Sequence, residues 1–265
     1  MERISKALEK SNLSETIIGE SAPGRGPVRR AAPEERIEYT QTRSESISRE
    51  RLRHRNVIAG FDPCPFVDAY KVLRTKVLLQ MREHDWNVLA VTGAGPETGT
   101  TLTAVNLAIS LAWEINQTVL LVDANLRSPG VSQLLGVEAQ YGLADYLLEN
   151  TPVDRLLVHP KGIDRFVILP GGRPLPHSSE MLSSPRMADL VADLKHRYPS
   201  RLVLFDLPHI ATSDTLAFAP YVDAALLVLE AGRTTEEQLQ QAISHLGDTP
   251  LLGTVLNKVE SELPN

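Results

Sequence analysis

Short apolar runs alternate with helical patterns along most of this chain, and this alternation limits its fold more than any other feature. Each run is bounded by turn residues or by a helix, as buried strands are. The predicted strands are Asn87–Thr92, Thr118–Asp123, Phe166–Leu169, Arg201–Asp206, Ala224–Leu229 and Gly253–Leu256, and the predicted helices between them are Thr101–Ile115, Ser184–Arg197 and Thr235–Leu246. Such alternation predicts a doubly wound α/β domain with a mostly parallel sheet and right-handed crossovers.

The first 60 residues differ in composition from the rest of the chain. Residues 1–20 contain the pattern of a short amphipathic helix. Residues 21–60 are rich in Arg, Glu, Ser, Gly and Pro and poor in large apolar residues, which predicts a disordered linker. The folded domain is therefore expected over residues 61–265, and its first helix pattern is Asp68–His84.

Composition excludes several classes of protein. The single cysteine, Cys64, cannot form a disulfide within the chain and fits a reducing compartment. No run approaches the roughly 18–20 apolar residues of a membrane helix, and the N-terminus lacks an apolar signal core. Residues 1–60 carry 12 Lys and Arg against nine Glu, so a mildly basic arm precedes a body with 15 basic and 24 acidic residues. Nucleic-acid binding needs a concentrated basic face, so we expect no nucleic-acid partner. The single cysteine and the lack of a long apolar run together predict a cytoplasmic protein.

The segment from Val88 to Ser110 places a Gly-rich loop between an apolar strand and a long helix. Such a turn presents backbone N–H groups and a helix N-terminus to an anion and can cradle phosphate. In the pattern GxxxxGK[ST] the Lys reaches the β- and γ-phosphates and the Ser/Thr hydroxyl binds Mg²⁺. Here Gly99 and Thr101 occupy their expected places, whereas Thr100 replaces the Lys and Ala94 replaces the first Gly. Taken alone, the loop is equally compatible with an ordinary turn that binds no ligand.

Two carboxylates strengthen the interpretation as a nucleotide site. Asp123 ends the second predicted strand and Asp206 ends the fourth. The carboxyl ends of parallel strands line the ligand crevice of an open sheet, so both side chains are expected beside the phosphate loop. Either one alone is as compatible with a helix cap. The loop and both carboxylates together predict a site for Mg²⁺ and a nucleotide.

Six motifs follow one another between Asp68 and Val259. They are DAYKVLRT (68–75), TGAGPETGTTLTAVNLAISLA (92–112), VLLVDANLRSP (119–129), LPGGRPLPHSSEMLSSPRM (169–187), LVLFDLPH (202–209) and GTVLNK (253–258). In this order they resemble the cytoplasmic kinase domain of the bacterial tyrosine kinases of capsule and exopolysaccharide synthesis, and more narrowly its exosortase-associated autokinase branch. The matching family features are the oligomerisation helix, the Walker A loop, the second Walker motif, a Pro-rich segment, the Walker B motif and the strand with the adenine-contacting Asn.

The resemblance implies a P-loop NTPase fold with ATP and Mg²⁺ as cofactors. The residues that it implies for nucleotide binding are Gly95, Pro96, Glu97, Thr98, Gly99, Thr100, Thr101, Arg127 and Asn257, the last of these at the base. It also implies that Thr101, Asp123 and Asp206 hold Mg²⁺, with the two aspartates catalytic, and that Asp68, Lys71 and Arg74 form a contact between identical subunits. The implied partner is a membrane polysaccharide co-polymerase, which would bring the protein to the inner face of the plasma membrane.

Departures from the family pattern point toward reduced chemistry. Thr100 lacks the charge of the Lys, whose hydrogen bonds to phosphate are worth about 1.5–3 kcal/mol each, so nucleotide binding should weaken about 10- to 100-fold. Asn125 replaces the second Asp of the DxDxR motif and cannot act as a base. His209 replaces the second Pro of the Walker B loop, and residues 259–265 contain no tyrosine, whereas the wider family has a Tyr-rich tail. Glu97 stands where the family prefers Gly, and its carboxylate repels a triphosphate.

Three functional hypotheses remain open at this point. The first is a pseudokinase-like regulator of exopolysaccharide synthesis with weak or no ATP turnover. The second is a working ATPase or tyrosine autokinase in which Arg127, or an arginine of a neighbouring subunit, replaces the lysine. The third is a partitioning-type P-loop ATPase. Those ATPases carry a signature Lys where this chain has Gly95, so the sequence favours the first two hypotheses.

Overall fold

Eight strands in the described part of the chain form one mixed, mostly parallel sheet. The computed structural model describes residues 42–57, 64–114, 117–197 and 201–259. The strands are β1 Arg43–Ser46, β2 Val88–Gly93, β3 Thr118–Asp123, β4 Val158–Lys161, β5 Phe166–Leu169, β6 Arg201–Asp206, β7 Ala224–Glu230 and β8 Leu251–Asn257. Their order in the sheet is β1-β4-β5-β3-β6-β2-β7-β8. All neighbours pair in parallel except β4 and β5, which are antiparallel.

Helices fill the connections between these strands. They are α1 Arg49–His54, α2 Pro65–Glu83, α3 Thr100–Ala112, α4 Val131–Leu135, α5 Leu143–Glu149, α6 Val153–Leu156, α7 Ser178–Leu182, α8 Pro185–Arg197, α9 Ser213–Phe218 and α10 Glu236–His245, with a 3₁₀ turn at Ala219–Tyr221. In the part of the chain that the structure describes, no helix has both the length and the apolar surface that a membrane span needs.

The sheet has a hydrophobic core on each of its two faces, because successive residues of a strand point to opposite sides. On β2, Val88 and Ala90 join one core, whereas Leu89 and Val91 join the other. Helices α5, α8 and α10 cover the first face, and α1, α2 and α3 cover the second. Since both faces are covered, the central strands are apolar at nearly every position and appear in the sequence as continuous apolar runs.

The fold predicted from the sequence is confirmed. Strands β3, β5 and β6 have the predicted bounds, and every other strand or helix predicted within the described residues differs by at most three residues at either end. The right order of elements follows from the alternation of apolar runs and helical patterns. Because β2, β3 and β6 run parallel, their carboxyl ends lie together at one end of the strands. The predicted site residues lie there.

The prediction of a disordered linker is wrong for residues 42–57. β1 pairs with β4 at the edge of the sheet, and α1 places the fully buried side chain of Leu52 in the second core. β1 has the polar sequence RSES, so backbone pairing holds it there and composition does not reveal it. β4 was not predicted either, because His159 and Pro160 interrupt its short apolar run. The helix predicted within residues 1–20 lies outside the described residues.

Leu52→Ala should lower the free energy of unfolding by about 2–5 kcal/mol, because the change opens a cavity in a closed core. The matched control is Leu148→Ala, since the Leu148 side chain on α5 is 46 % exposed and its loss should matter by less than about 0.5 kcal/mol. Urea unfolding followed by circular dichroism measures both variants. Equal effects of the two changes would mean that α1 does not pack on the domain.

Candidate functional site

The phosphate loop joins the carboxyl end of β2 to the first turn of α3. Gly99 precedes this helix with a φ of +85°, a left-handed conformation that favours glycine. A Cβ at Gly99 would also collide with the side-chain amide of Asn257. Glu97 has a φ of +58°, a conformation that costs a residue other than glycine about 1 kcal/mol or more. The loop thus keeps the backbone shape of a phosphate cradle even where it departs from the family sequence.

The side chain of Thr100 is turned back onto the loop. Its hydroxyl oxygen lies 3.1 Å from Thr98 Oγ1, and Thr98 is buried. Both hydroxyls stand over Gly93, where a Cβ would come within 2.8 Å of Thr100 Oγ1. The place of the missing lysine therefore holds a short, uncharged group that is already hydrogen-bonded within the loop.

Asp123 and Asp206 lie side by side, as their predicted positions at strand ends implied. The parallel register of β3 and β6 pairs the two residues directly, and both are fully buried. The Val131 N–H donates to Asp123 Oδ2 at 3.0 Å. Asp123 Oδ1 and both carboxylate oxygens of Asp206 have no hydrogen-bond partner among the described residues. Buried polar atoms without a hydrogen-bond partner destabilise the fold unless a proton or a cation binds to them.

Burial raises the pKa of both carboxyl groups. The pKa of Asp123 rises to about 7 because burial disfavours the charged form, although backbone hydrogen bonds, first that of Val131, oppose the rise. The pKa of Asp206 rises well above its ordinary value, first through burial and then through repulsion by Asp123, and the nearby Thr101 hydroxyl offsets part of this rise. Without a cation, the two neighbouring groups therefore retain protons toward neutral pH.

The unpartnered oxygens of this carboxylate pair fit Mg²⁺. In proteins Mg²⁺ is usually held by one or two carboxylates together with phosphate oxygens and waters. Asp123, Asp206 and the neighbouring Thr101 hydroxyl supply such oxygen ligands. Among the described residues, no group of three or more His, Cys, Asp or Glu could hold a metal ion. The residues present therefore suit an ion that is bound jointly with a nucleotide.

Arg127 is bound away from the phosphate loop in this structure. Its Nη2 lies 2.8 Å from Asp214 Oδ1 in an ion pair, and its Nε donates to Ser178 Oγ at 3.1 Å. Asp214 is fully buried, so the departure of Arg127 would leave a buried charge unpaired, which typically costs about 3–5 kcal/mol. The structure thus gives Arg127 a bridging role between the loop after β3 and the first turns of α7 and α9, rather than contact with the loop that was expected to bind phosphate.

Asn257 lies at the end of β8 against the phosphate loop, where its Nδ2 donates to Thr98 O at 2.9 Å. A pocket of about 180 Å³ opens on the same side of the loop. It is lined by Gly95, Pro96, Glu97, Thr98, Glu230, Arg233, Thr234 and Gln238. Sequence reasoning missed residues 230–238. The sequence signal for these residues is that they follow a predicted strand. The carboxyl end of that strand lies beside the phosphate loop.

The two substituted positions, Asn125 and His209, are both half-buried. The Ile210 N–H donates to Gly93 O at 2.9 Å, which holds the loop of His209 against the phosphate loop. His209 Nδ1 is buried without a hydrogen-bond partner among the described residues. Asn125 therefore supplies no second carboxylate to the site, and His209 does not supply the proline of the family pattern.

The three residues expected to join identical subunits lie on α2. Asp68 Oδ1 and Lys71 Nζ form an exposed ion pair at 2.8 Å. Arg74 instead faces α3, where its Nη1 donates to Ser110 O at 3.1 Å and its Nε lies 3.3 Å from Glu114 Oε1. Arg74 therefore has partners within its own chain, and oligomerisation through this helix stays a prediction.

Several known proteins similar to this chain are tyrosine-protein kinases. The chain is 31 % identical over 207 residues to the tyrosine-protein kinase YwqD of Bacillus subtilis strain 168, a match that covers 77 % of this chain and 86 % of that protein. It is 30 % identical over 228 residues to the tyrosine-protein kinase Etk of Escherichia coli strain K12, a match that covers 83 % of this chain. That match covers 31 % of Etk, so the chain spans about a third of the length of this relative.

Structural comparison leads to the same group of proteins. The solved kinase domain of the Escherichia coli tyrosine kinase ETK superposes with a TM-score of 0.66 at 28 % identity, covering 75 % of this chain and 79 % of that one. No family model matches the chain.

Asp123→Asn should stabilise the nucleotide-free protein at pH 8 and have no such effect near pH 4. Because folding raises the pKa of Asp123 from 3.8 to about 7, the folded state binds more protons between these values and loses stability as the pH rises through them. Asparagine removes this loss. At pH 8 the melting temperature should rise by at least about 2–4 °C, the shift that about 1 kcal/mol produces in a chain of this size.

The control for this measurement is Asp145→Asn. Asp145 is also buried, but the Gly142 N–H donates to its Oδ2 at 2.7 Å, so its loss should lower the melting temperature. Calorimetry from pH 4 to 8 measures both variants. If Asp123→Asn destabilises the protein at pH 8 as Asp145→Asn does, the charge of Asp123 is not the cost that its lack of partners implies.

Proposed function

Because the chain belongs to the family of bacterial tyrosine-protein kinases, we propose that it acts in exopolysaccharide synthesis as a kinase-like regulator with impaired ATP turnover. One observation carries the proposal. The place of the phosphate-loop lysine holds Thr100, whose hydroxyl lies 3.1 Å from Thr98 Oγ1 and faces the loop itself. The exopolysaccharide context is supported by the six ordered motifs, and the reduced turnover by the altered residues among them.

In the proposed site, this chain's residues bind the nucleotide and position its metal ion. Backbone N–H groups between Gly95 and Thr101 and the N-terminus of α3 bind phosphate. Asp123, Asp206 and Thr101 would hold Mg²⁺, which when bound supplies positive charge to the phosphate oxygens. Asn257 braces the loop through its bond to Thr98 O. Most of the proposed contacts with the nucleotide therefore do not depend on the lysine.

Phosphoryl transfer loses more than binding does. Charge develops on the phosphate oxygens in the transition state, and one lost preorganised donor costs about 10²–10³ in rate. Thr100 supplies no charge, and Arg127 is engaged by the buried carboxylate of Asp214. Asn125 lacks the second carboxylate of the motif. We therefore expect a protein whose nucleotide affinity is reduced and whose turnover is reduced further.

Incubation with labelled ATP and Mg²⁺ tests the proposal on three proteins: wild type, Asp206→Ala and Thr100→Lys. The wild type should form no phosphotyrosine and should release phosphate no faster than Asp206→Ala. Calorimetric titration should show that Thr100→Lys binds ATP about 10- to 100-fold more tightly than wild type.

Two results would contradict the proposal of impaired turnover. One is micromolar ATP binding by wild type together with phosphate release that Asp206→Ala abolishes. The other is an unchanged ATP affinity in Thr100→Lys, since another group would then already fill the place of the lysine. Either result would favour an active kinase that uses a basic residue from elsewhere, such as an arginine of a neighbouring subunit.

The proposed partner is a membrane polysaccharide co-polymerase at the inner face of the plasma membrane. We expect this chain to bind that partner as a homo-oligomer. Its support is the outer surface of α2, which combines the exposed Asp68–Lys71 ion pair with two apolar side chains, Val72 at 57 % and Leu79 at 61 % exposure. Isolated apolar side chains are ordinary on a surface, but two that lie two helical turns apart on one face of a helix suit a protein contact.

Val72→Asp should reduce both self-association and recruitment to the membrane, because it places a charge in the proposed contact. Analytical ultracentrifugation measures the first effect, and fractionation of cells that co-express the co-polymerase measures the second. The matched control is Leu148→Asp, which changes an apolar side chain that is 46 % exposed on α5. If both variants behave alike, or if the wild type reaches the membrane fraction without the co-polymerase, α2 is not the contact.

A further inference from the structure

The two flanks of the phosphate loop differ in charge. On one side of β2, the strands β6 and β3 end in Asp206 and Asp123. On the other side, β7 is followed by Arg233 and β8 by Lys258. A nucleotide bound across this loop therefore has carboxylates toward one end and basic side chains toward the other.

The acidic flank offers Mg²⁺ ligands but little positive charge from the protein itself. Arg127, the basic residue of the loop after β3, is paired with Asp214 at 2.8 Å. Thr100 presents a hydroxyl that is bonded to Thr98. In a P-loop with its lysine, that residue reaches the β- and γ-phosphates. Here a terminal phosphate would approach two aspartates, and beyond Mg²⁺ it would have no lysine to offset the repulsion.

The basic flank is held in place by Glu230. Arg233 Nη1 lies 3.3 Å from Glu230 Oε1, and Lys258 Nζ lies 3.3 Å from Glu230 Oε2. One carboxylate with little exposure is thus shared by two cations, which leaves one positive charge in excess at this cluster. The turn is further fixed because the Thr234 hydroxyl oxygen accepts the Glu230 N–H at 2.8 Å.

Arg233 lines the same pocket as the phosphate-loop residues. Besides Gly95–Thr98, the pocket is lined by Arg233, Thr234 and Gln238, whose side chains can bind phosphate or hydroxyl oxygens, and by Glu230, whose carboxylate is paired with Arg233 and Lys258. Its volume of about 180 Å³ is smaller than the roughly 300–1,000 Å³ of a pocket for a whole small molecule, so it accommodates part of a nucleotide. The exposed carboxylate of Glu97 lines this pocket too and opposes further negative charge.

We propose that this site binds a nucleoside diphosphate at least as tightly as a triphosphate, which we call its diphosphate preference, and that Arg233 is its principal phosphate-binding side chain. The inference rests on the proposed function, in which nucleotide is bound but slowly turned over. A diphosphate keeps the contacts with the loop N–H groups and with Arg233. A triphosphate adds a charged group toward Asp123 and Asp206 without the lysine that would stabilise it. The protein therefore gains little or no affinity from the third phosphate.

Calorimetric titration of the full chain with Mg–ADP and Mg–ATP tests this preference. Wild type should bind ADP at least as tightly as ATP. Arg233→Gln should weaken ADP binding about 3- to 10-fold, and Arg233→Lys should recover part of that loss. Glu97→Gln should tighten ATP binding more than ADP binding, because it removes a repelling charge. Thr100→Lys should shift the preference toward ATP by about 10-fold or more.

The control is Arg43→Gln. Arg43 is another partly exposed arginine in an ion pair, 2.9 Å from Glu45, but it lies on β1 at the opposite edge of the sheet from β8. Melting temperatures verify that each variant is folded. ATP binding that is tighter than ADP binding in wild type overturns the inference. So does an Arg233→Gln effect no larger than that of Arg43→Gln, or the absence of binding by either nucleotide.

These outcomes are separable from a failure of the proposed function. Impaired turnover is judged from phosphotyrosine and released phosphate, whereas the diphosphate preference is judged from binding alone. An ATP-selective protein that forms no phosphotyrosine would overturn the inference and leave the proposed regulator standing. A protein that forms phosphotyrosine yet binds ADP as tightly as ATP would overturn the regulator and support the preference.

Discussion

The side-by-side placement of Asp123 and Asp206 is the constraint on which the site depends. Parallel pairing of β3 and β6 sets the two carboxylates next to each other in a fully buried position. Three of their four oxygens lack a hydrogen-bond partner among the described residues, so the pair costs stability until a proton or a cation meets it. A core on both faces of the sheet holds the strands in this register, and the unpartnered oxygens are suited to Mg²⁺.

Loss of the lysine separates the tasks that a phosphate loop usually combines. The backbone cradle survives, because Gly99 keeps its left-handed conformation and Asn257 braces Thr98 from the end of β8. The cation at the reacting phosphates does not survive, and Arg127 is retained by the buried Asp214. In the proposed function, nucleotide binding relies on the N–H groups and on Arg233, whereas phosphoryl transfer needs positive charge that the acidic flank lacks. The proposed regulator and its diphosphate preference both follow from this division.

Much of the fold could be predicted because covered strands are apolar on both faces. β3, β5 and β6 stand out in the sequence for that reason, and their ends predicted where the carboxylates would meet. β1 was missed since its residues are polar and its partner, β4, is more than 100 residues away. The bond between Arg127 and Asp214 was missed for a similar reason, as 87 positions separate the two residues. No local pattern reports a contact of that kind.

Residue order alone establishes the α/β architecture, the phosphate loop with Thr100 in place of lysine and the two aspartates at strand ends. These features are local, because periodicity, glycine content and position relative to a strand are properties of neighbouring residues. Folding decides which groups then face each other: the two aspartates, three of whose four oxygens have no hydrogen-bond partner among the described residues, Arg127 with Asp214, and Arg233 with Glu230 beside the loop. Such contacts join distant segments, and burial, which sets their strength and the pKa of Asp123, exists only once the chain has folded.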